Sequence, residues 1–392
     1  MSEAWARKPF IDCLDKSPKT SKIPKKRFQD RGQYPIVSQE KDLINGYWDN
    51  PDDVVRVDHP VIVFGDHTQA VKLIDFDFVV GADGVKILKP KPFLDPRYFY
   101  YFLIGHPVKA LGYARHFRLL KKLEVAIPSL AEQKRIVAIL DEAFAGIETA
   151  ITNTEKNIAN AREVIDARLA VLFANRHQNW ICGPLNDFVE LVSTGPFGSL
   201  LHKSDYVSDG IPLINPVNIQ GDSIVPDPNK RVDKEGFKKL RAYVLRAGDI
   251  VIARRGEIGR CAVISQEQDG WVCGTGCFFI RPSKKTDPCF LAHLLRSRPY
   301  REKLEQSATG ATMLNLSNKV LAGLPVSMPA IDEQKKIADY ISGFETDCLK
   351  ISAVQKRKIY LLGELKQSLL QKAFSGELTT DRAERELAVV MP

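Results

Sequence analysis

The residues best placed to do chemistry are Arg254-Arg255-Gly256-Glu257-Ile258-Gly259-Arg260, where three guanidiniums surround two glycines. That spacing predicts a tight β-hairpin. The guanidinium fork suits bidentate contacts to guanine edges and to phosphates, although a solvent-facing hairpin would also satisfy it. The surrounding span 228–260 holds ten Lys/Arg against four acids, net +6, and residues 1–31 hold nine against four, net +5. Pro18 and Pro24 disfavour a helix in that N-terminal stretch, which reads equally as a solvated basic loop or a phosphate-contacting one.

Catalytic signatures are missing. Asn215-Pro216-Val217-Asn218 resembles the Asn-Pro-Pro-aromatic loop of amino-methyltransferases, but the second proline and the aromatic are absent. Gly274-Thr275-Gly276 lies in a β-like run and lacks the third glycine of a cofactor loop, and no nucleotide-binding Gly-Lys-Ser/Thr signature exists. Glu132-x-Lys134 and Glu333-x-Lys335 could serve a nuclease, yet no Pro-Asp partner is placed to share a magnesium ion. No His-Glu-x-x-His or histidine cluster suggests a metal. The seven scattered cysteines contain no C-x-x-C pair, so they are expected to be reduced thiols. The chain is therefore expected not to be an enzyme and to carry no cofactor.

The elements that position these residues occur twice. Pro128-Ser129-Leu130-Ala131-Glu132-Gln133-Lys134-Arg135-Ile136 returns 201 residues later as Pro329-Ala330-Ile331-Asp332-Glu333-Gln334-Lys335-Lys336-Ile337. The same offset sets Leu120, Leu123 and Val125 on Leu321, Leu324 and Val326, and Leu169 and Phe173 on Leu370 and Phe374. A match held at one offset over this length is an internal repeat.

Each motif copy opens a long helix. Ser129 and Glu132 form a capping-box pattern, whereas Ala330 leaves the second start weaker, helped by Asp332 and Glu333 in the first turn. Apolar residues then recur at three- and four-residue steps, through Ile136, Leu140, Ala143, Ile147, Thr154 and Leu169, and through Ile337, Ile341, Cys348, Ile351 and Leu369. Asn175 and Gly376 are the expected C-terminal caps. The rods would each be about 65–70 Å long. Two independent arms would fit the same seams, but their equal length and narrow apolar stripes favour packing on each other, antiparallel, with both chain termini near the first domain.

Short β-like runs precede each rod: Tyr34–Ser38, Val54–Val57, Val61–Phe64, Ala70–Ile74, Phe78–Val80 and Val85–Leu88 in the first half. Gly210–Ile214, Gly248–Ile252 and Trp271–Gly274 mirror three of them in the second, and Asp95-Pro96 and Asp287-Pro288 each open a short helix. The expected fold is α+β: two β-rich domains separated by a pair of long antiparallel helices forming a coiled coil, with pseudo-twofold symmetry. The boundaries are 1–128, 129–176 (first spacer helix), 177–329, 330–376 (second spacer helix) and 377–392 (tail). The chain has 392 residues, 44% hydrophobic and 27% charged, enough for two cores. Its net charge of +8 suggests a polyanionic partner. No apolar run suits a membrane and no export signal follows Met1, so a cytoplasmic location is expected.

The half-and-half repeat, the Glu-Gln-Lys helix starts, Gly210-Ile211-Pro212-Leu213-Ile214 and Gly248-Asp249-Ile250-Val251-Ile252-Ala253-Arg254-Arg255 together resemble the DNA-specificity subunits of type I restriction-modification systems. The resemblance covers nearly the whole chain. In the first half it departs, with Phe64-Gly65-Asp66-His67-Thr68 standing where the second half has its Arg-Arg-Gly hairpin. It implies two target-recognition domains, each reading half of a split sequence in double-stranded DNA, and rods that set the spacer and dock two methyltransferase subunits. With the expected pseudo-twofold, the half-sites would lie about 10 bp apart. S-adenosylmethionine, Mg²⁺ and ATP would sit on methyltransferase and restriction (motor) partners, with the target adenine flipped by the former.

The DNA-contacting residues then expected are Arg254, Arg255 and Arg260, the loop Thr194, Gly195, Phe197 and Ser199 with His202 and Lys203, and Thr309 and Thr312. In the first half they are Lys25, Lys26, Arg27, Ser38, Gln39 and His67. Glu132, Gln133, Lys134, Glu333, Gln334 and Lys335 are the expected partner-binding residues at the helix starts. A specificity subunit of a fused methyltransferase-nuclease system and a non-catalytic coiled-coil scaffold remain as alternatives.

Overall fold

The computed structural model describes residues 5–112, 114–174, 179–197, 200–308 and 315–378. The chain divides into two compact units, Met1–Glu155 with Lys356–Pro392, and Lys156–Gln355.

In the first unit the strand Val61–Gly65 is buried along its whole length, which requires a layer on each face. Its even residues, Ile62 and Phe64, join Phe10, Tyr98, Phe99 and Phe102 in one core; its odd residues, Val61 and Val63, join Val37, Val55, Phe78 and Val80 in another. This strand lies between Val71–Ile74 and Val85–Leu88 in an antiparallel three-stranded sheet. A second sheet centres on Phe78–Gly81, which pairs parallel with Tyr34–Val37 and Lys22–Ile23 and antiparallel with Val54–Val55. All six strands expected in this half are present. The charged N-terminal stretch is more ordered than a loop: Ala6–Pro9 pairs antiparallel with Glu124–Ile127, the strand that leads into the first rod.

The second unit repeats the device. Ile250 and Ile252 enter the core of Phe290, Leu291 and Leu294, while Val251 and Ala253 enter that of Ile214, Cys273 and Phe279. The strand Ile250–Ala253 sits between Cys277–Pro282 and Cys261–Val263. Ile211–Ile214 runs parallel to Val272–Cys273, as Tyr34–Val37 does to Phe78–Gly81. Ile181–Pro184 pairs with Pro325–Met328 just before the second rod.

The Asp-Pro pairs start helices for a local reason. Proline's fixed φ suits the first helical position, and the preceding carboxylate accepts orphan amide hydrogens. Asp95 accepts from Arg97 and Tyr98 at the start of Pro96–Gly105, and Asp287 from Phe290 at the start of Pro288–Arg296. The rods are Leu130–Ala174 and Ile331–Ser375, of 45 residues each. Ser129 Oγ accepts from Glu132 N at 3.2 Å. Gly376, at φ +85°, closes the second rod in the left-handed conformation, whereas Asn175 lies outside the described residues.

In the first unit Ile136, Leu140 and Ile147 share a core with Leu369, Leu370 and Phe374, so the opening of one rod lies against the close of the other. The second unit has the converse, with Leu169 and Phe173 beside Ala338 and Ile341. The seam differs from expectation at one position. Ile351 is 52% exposed and its neighbour Ser352 is the half-buried one, because a helix of 3.6 residues per turn drifts from a strict heptad count.

Candidate nucleic-acid interface

Four loops of the second unit leave the same ends of its strands. They follow Val189–Thr194, Ile211–Ile214 and Ile250–Ala253, and the fourth, Gly274-Thr275-Gly276, joins Val272–Cys273 to Cys277–Pro282. Glycines let them touch. A Cβ on Gly195 would run into the Gly274 carbonyl; one on Gly274 would stand 2.5 Å from Asn215 Oδ1, and one on Gly276 2.7 Å from Pro216 Cδ. Arg254 N donates to the Gly276 carbonyl at 3.1 Å, completing the ring.

The hairpin expected at 254–260 is present, with Gly256 and Gly259 at φ +73° and +84°, a backbone conformation that favours glycine. It does not present three guanidiniums. Arg254 lies over the Phe278 ring at 5.3 Å, and its Nε donates to Asn315 Oδ1 at 3.0 Å. Burial, then the neighbouring Arg255 charge, lowers its pKa from the ordinary arginine value. Arg260 turns inward: its Nη2 donates to the Pro216 carbonyl at 2.7 Å and its Nη1 lies 3.1 Å from Glu257. Arg255 alone of the three is exposed. Each inward guanidinium gives a half-buried acceptor a partner, Asn315 for Arg254 and the Pro216 carbonyl for Arg260.

Of the loop 194–203, Thr194 is half-buried in its strand, Gly195 is buried, Phe197 is 61% exposed and His202 is exposed. Gly195 is required by its contact with Gly274, a packing reason independent of any ligand. Ser199, Thr309 and Thr312, and the side chain of Lys203, lie outside the described residues.

The first unit brings its loops together at the corresponding strand ends, after Tyr34–Val37, Val61–Gly65 and Phe78–Gly81. Gln39 is the hub: its Oε1 accepts from His67 N at 3.3 Å, and its carbonyl accepts from Thr68 Oγ1 at 2.5 Å. A Cβ on Gly84 would come within 2.9 Å of Gln39 Oε1 and of the His67 ring. Gln39 and His67, both half-buried, therefore lie together on one surface. Two non-glycine residues at its edge, Gln69 and Ala82, are held at φ +61° and +60°, which costs each of them strain.

Ser38 does not belong to that surface. It is buried; its N and Oγ both donate to Asn45 Oδ1, at 2.9 and 2.8 Å, and its carbonyl accepts from Lys72 at 2.9 Å. Lys72 also reaches the Asp42 carbonyl, so this buried ammonium, its pKa lowered by desolvation, staples the loop that carries Gln39. Lys25, Lys26 and Arg27 form an exposed 3-10 turn, in which Lys25 pairs with Glu40 and Arg27 lies over Trp48 at 4.8 Å.

The helix-start motifs separate by position. Glu132 is half-buried, and Lys134, Glu333 and Lys335 are exposed, with Glu333 accepting from Trp180 Nε1 at 3.3 Å. Gln133 and Gln334 are buried, which corrects their expected place on a partner-binding surface. Gln133 accepts from Asp95 N at 2.7 Å and donates to the carbonyls of Phe93 and Pro128 at 3.0 and 2.9 Å. Gln334 does the same with Asp287 N at 2.8 Å and the carbonyls of Lys285 and Pro329 at 3.0 and 2.8 Å. Each amide is a latch between the rod and the loop that caps the short helix. Most of its partners lie about forty residues away or more, so nothing local in the sequence marks it.

Among the described residues no group of His, Cys, Asp and Glu could hold a metal ion, and no helix is long and apolar enough to cross a membrane. All seven cysteines are free thiols.

The fold and these loop junctions define a protein built of two related β-rich units with paired helical segments. The family described as type I restriction modification DNA specificity domain matches residues 5–159 and 178–360, and the chain belongs to that family. It is 24% identical over 370 residues to the specificity subunit of the type I restriction enzyme EcoBI of Escherichia coli, covering 86% of this chain and 76% of that one. It is 23% identical over 373 residues to the EcoR124I/EcoR124II specificity subunit of the same species, covering 86% of each.

Among solved structures, a chain from work on complex assembly and conformational transition of the type I R-M system superposes with a TM-score of 0.72. That pair shares 18% identity, over 96% of this chain and 98% of that one. The HsdS subunit from Thermoanaerobacter tengcongensis gives 0.52 at 17% identity, over 96% and 98%. In this family the chain supplies specificity and is not the catalyst.

Proposed function

We propose that the chain acts in the cytoplasm as the sequence-reading subunit of a type I restriction-modification complex, each unit reading one half of a bipartite site in double-stranded DNA. The observation that supports this most is the loop junction built twice at corresponding strand ends, around Gln39 and His67 and around Arg255 and Phe197. The two rods set the spacer between the half-sites. They dock two methyltransferase subunits through exposed faces that include Lys134, Glu333 and Lys335. The methyltransferases bind S-adenosylmethionine and methylate adenine, and restriction subunits with ATP and Mg²⁺ add cleavage. This chain contributes the address.

The test is to co-express the chain with its methyltransferase partner and map methylated adenines in host DNA. Two short defined blocks around an undefined spacer are expected, and only when the chain is present. Identical modification with and without it would overturn the proposal.

A further inference from the structure

One turn at the second junction carries none of the expected DNA-contacting residues. The turn Asn215-Pro216-Val217-Asn218 is immobilised from several sides. Asn215 N donates to Asn218 Oδ1 at 2.8 Å, and Asn218 N to the Asn215 carbonyl at 2.9 Å. Asn218, 4% exposed, also donates its amide to the Val225 carbonyl at 2.9 Å. Arg260 clamps the Pro216 carbonyl, and Gly274 and Gly276 leave room for the turn only because they lack a Cβ.

All these fixtures hold one side chain outward: Val217 is 62% exposed. An exposed valine by itself is ordinary. This one stands on a rigid turn whose loop neighbours carry Arg255, exposed, and Phe197, 61% exposed. An exposed cation and exposed apolar tips on the loops of one junction suit a base edge in the major groove, where the thymine 5-methyl group is the one apolar feature a base pair offers.

We infer that Val217 is a specificity-determining residue that contacts the 5-methyl group of a thymine in the half-site read by the second unit. The inference rests on the function proposed above. In this scheme Arg260 positions Val217 by holding the Pro216 carbonyl, and Arg255 supplies the polar contact.

The test uses the full chain in complex with its methyltransferase partner. The bipartite site is first mapped by methylation; then each thymine of both half-sites and both strands is replaced in turn by deoxyuridine and duplex binding is titrated. One position should weaken wild-type binding about fourfold, the factor expected for one buried methyl group. Val217→Ala should weaken binding to the parent duplex by about the same factor and lose its response to that uracil. Val217→Thr, which keeps one methyl, should retain part of the response. A Val217→Ala complex with the same uracil profile as wild type would overturn the assignment, as would a site with no uracil-sensitive position, with the bipartite map intact in either case. A map that does not depend on the chain would instead overturn the proposed function.

Discussion

The two units differ least where they join the rods and most where their loop tips meet. At the joint, Gln133 and Gln334 make the same three hydrogen bonds to equivalent backbone groups, to within 0.1 Å. One step along, the same contact is made with different chemistry. Tyr101 of the first short helix donates to Asp141 and lies edge-on to Phe144. In the second unit His293 bonds Ser342 at 3.1 Å, while Arg296 donates to His293 at 2.7 Å and lies 3.6 Å from Glu345. At the loop junctions the equivalence is one of position only, with a Gln–His–Thr hub in one unit and an Arg–Phe–Val rim in the other. The joints are thus built alike in backbone terms, whereas the loop tips share only their place at the strand ends.

The largest expected effects test the sameness. Gln133→Leu and Gln334→Leu each strand a backbone amide and two carbonyls that were buried, and each should cost about 1–3 kcal/mol of stability. The two values should agree to within about 1 kcal/mol, as read by urea unfolding. A large cost in one and none in the other would break the equivalence of the joints. Next, Arg254→Ala should lower stability by about 1–2 kcal/mol through its lost cation–π contact and its lost bond to Asn315. Arg255→Ala should leave stability within about 0.5 kcal/mol of wild type and act on DNA affinity instead. Thermal scans of the two variants side by side decide this, and equal melting temperatures would contradict it.

The smallest effect sharpens the contrast in turn chemistry. Gly256 and Gly259 hold positive φ at the second junction, whereas the first has Ala82 and Gln69 there as well as Gly84. Ala82→Gly should stabilise the protein by about 0.5–1 kcal/mol by removing the Cβ strain of the left-handed conformation. A destabilised Ala82→Gly variant would mean that the side chain supplies something the backbone angle does not reveal.

Much of the frame was legible in the sequence because its signals are local. The Asp-Pro pairs cap their own helices, the rods carry their period within themselves, and the six runs expected as strands in the first half are short alternating or fully apolar stretches. What the sequence hid depends on distant partners. Ala6–Pro9 is charged and exposed, and becomes a strand only through Glu124–Ile127. Gln133 looks like any polar residue in a first helical turn until the Phe93–Asp95 loop arrives to bury it. The three hairpin arginines are alike in sequence, and only Asn315, Phe278 and Pro216, none of them local, sort them into one outward and two inward. In the sequence Val217 is only part of an incomplete methyltransferase motif; the turn's own Asn215–Asn218 bonds are joined by a clamp from Arg260 and by space left at two distant glycines.

Each junction is proposed to read its own half of a bipartite site. The most direct measurement is an adenine-methylation map of host DNA modified by the complex carrying Arg255→Ala, set beside the wild-type map. One defined block should lose stringency at a single position, with a penalty there of about 1–3 kcal/mol removed, while the other block and the spacer length stay as they were. An unchanged motif, or one relaxed in both blocks at once, would contradict it.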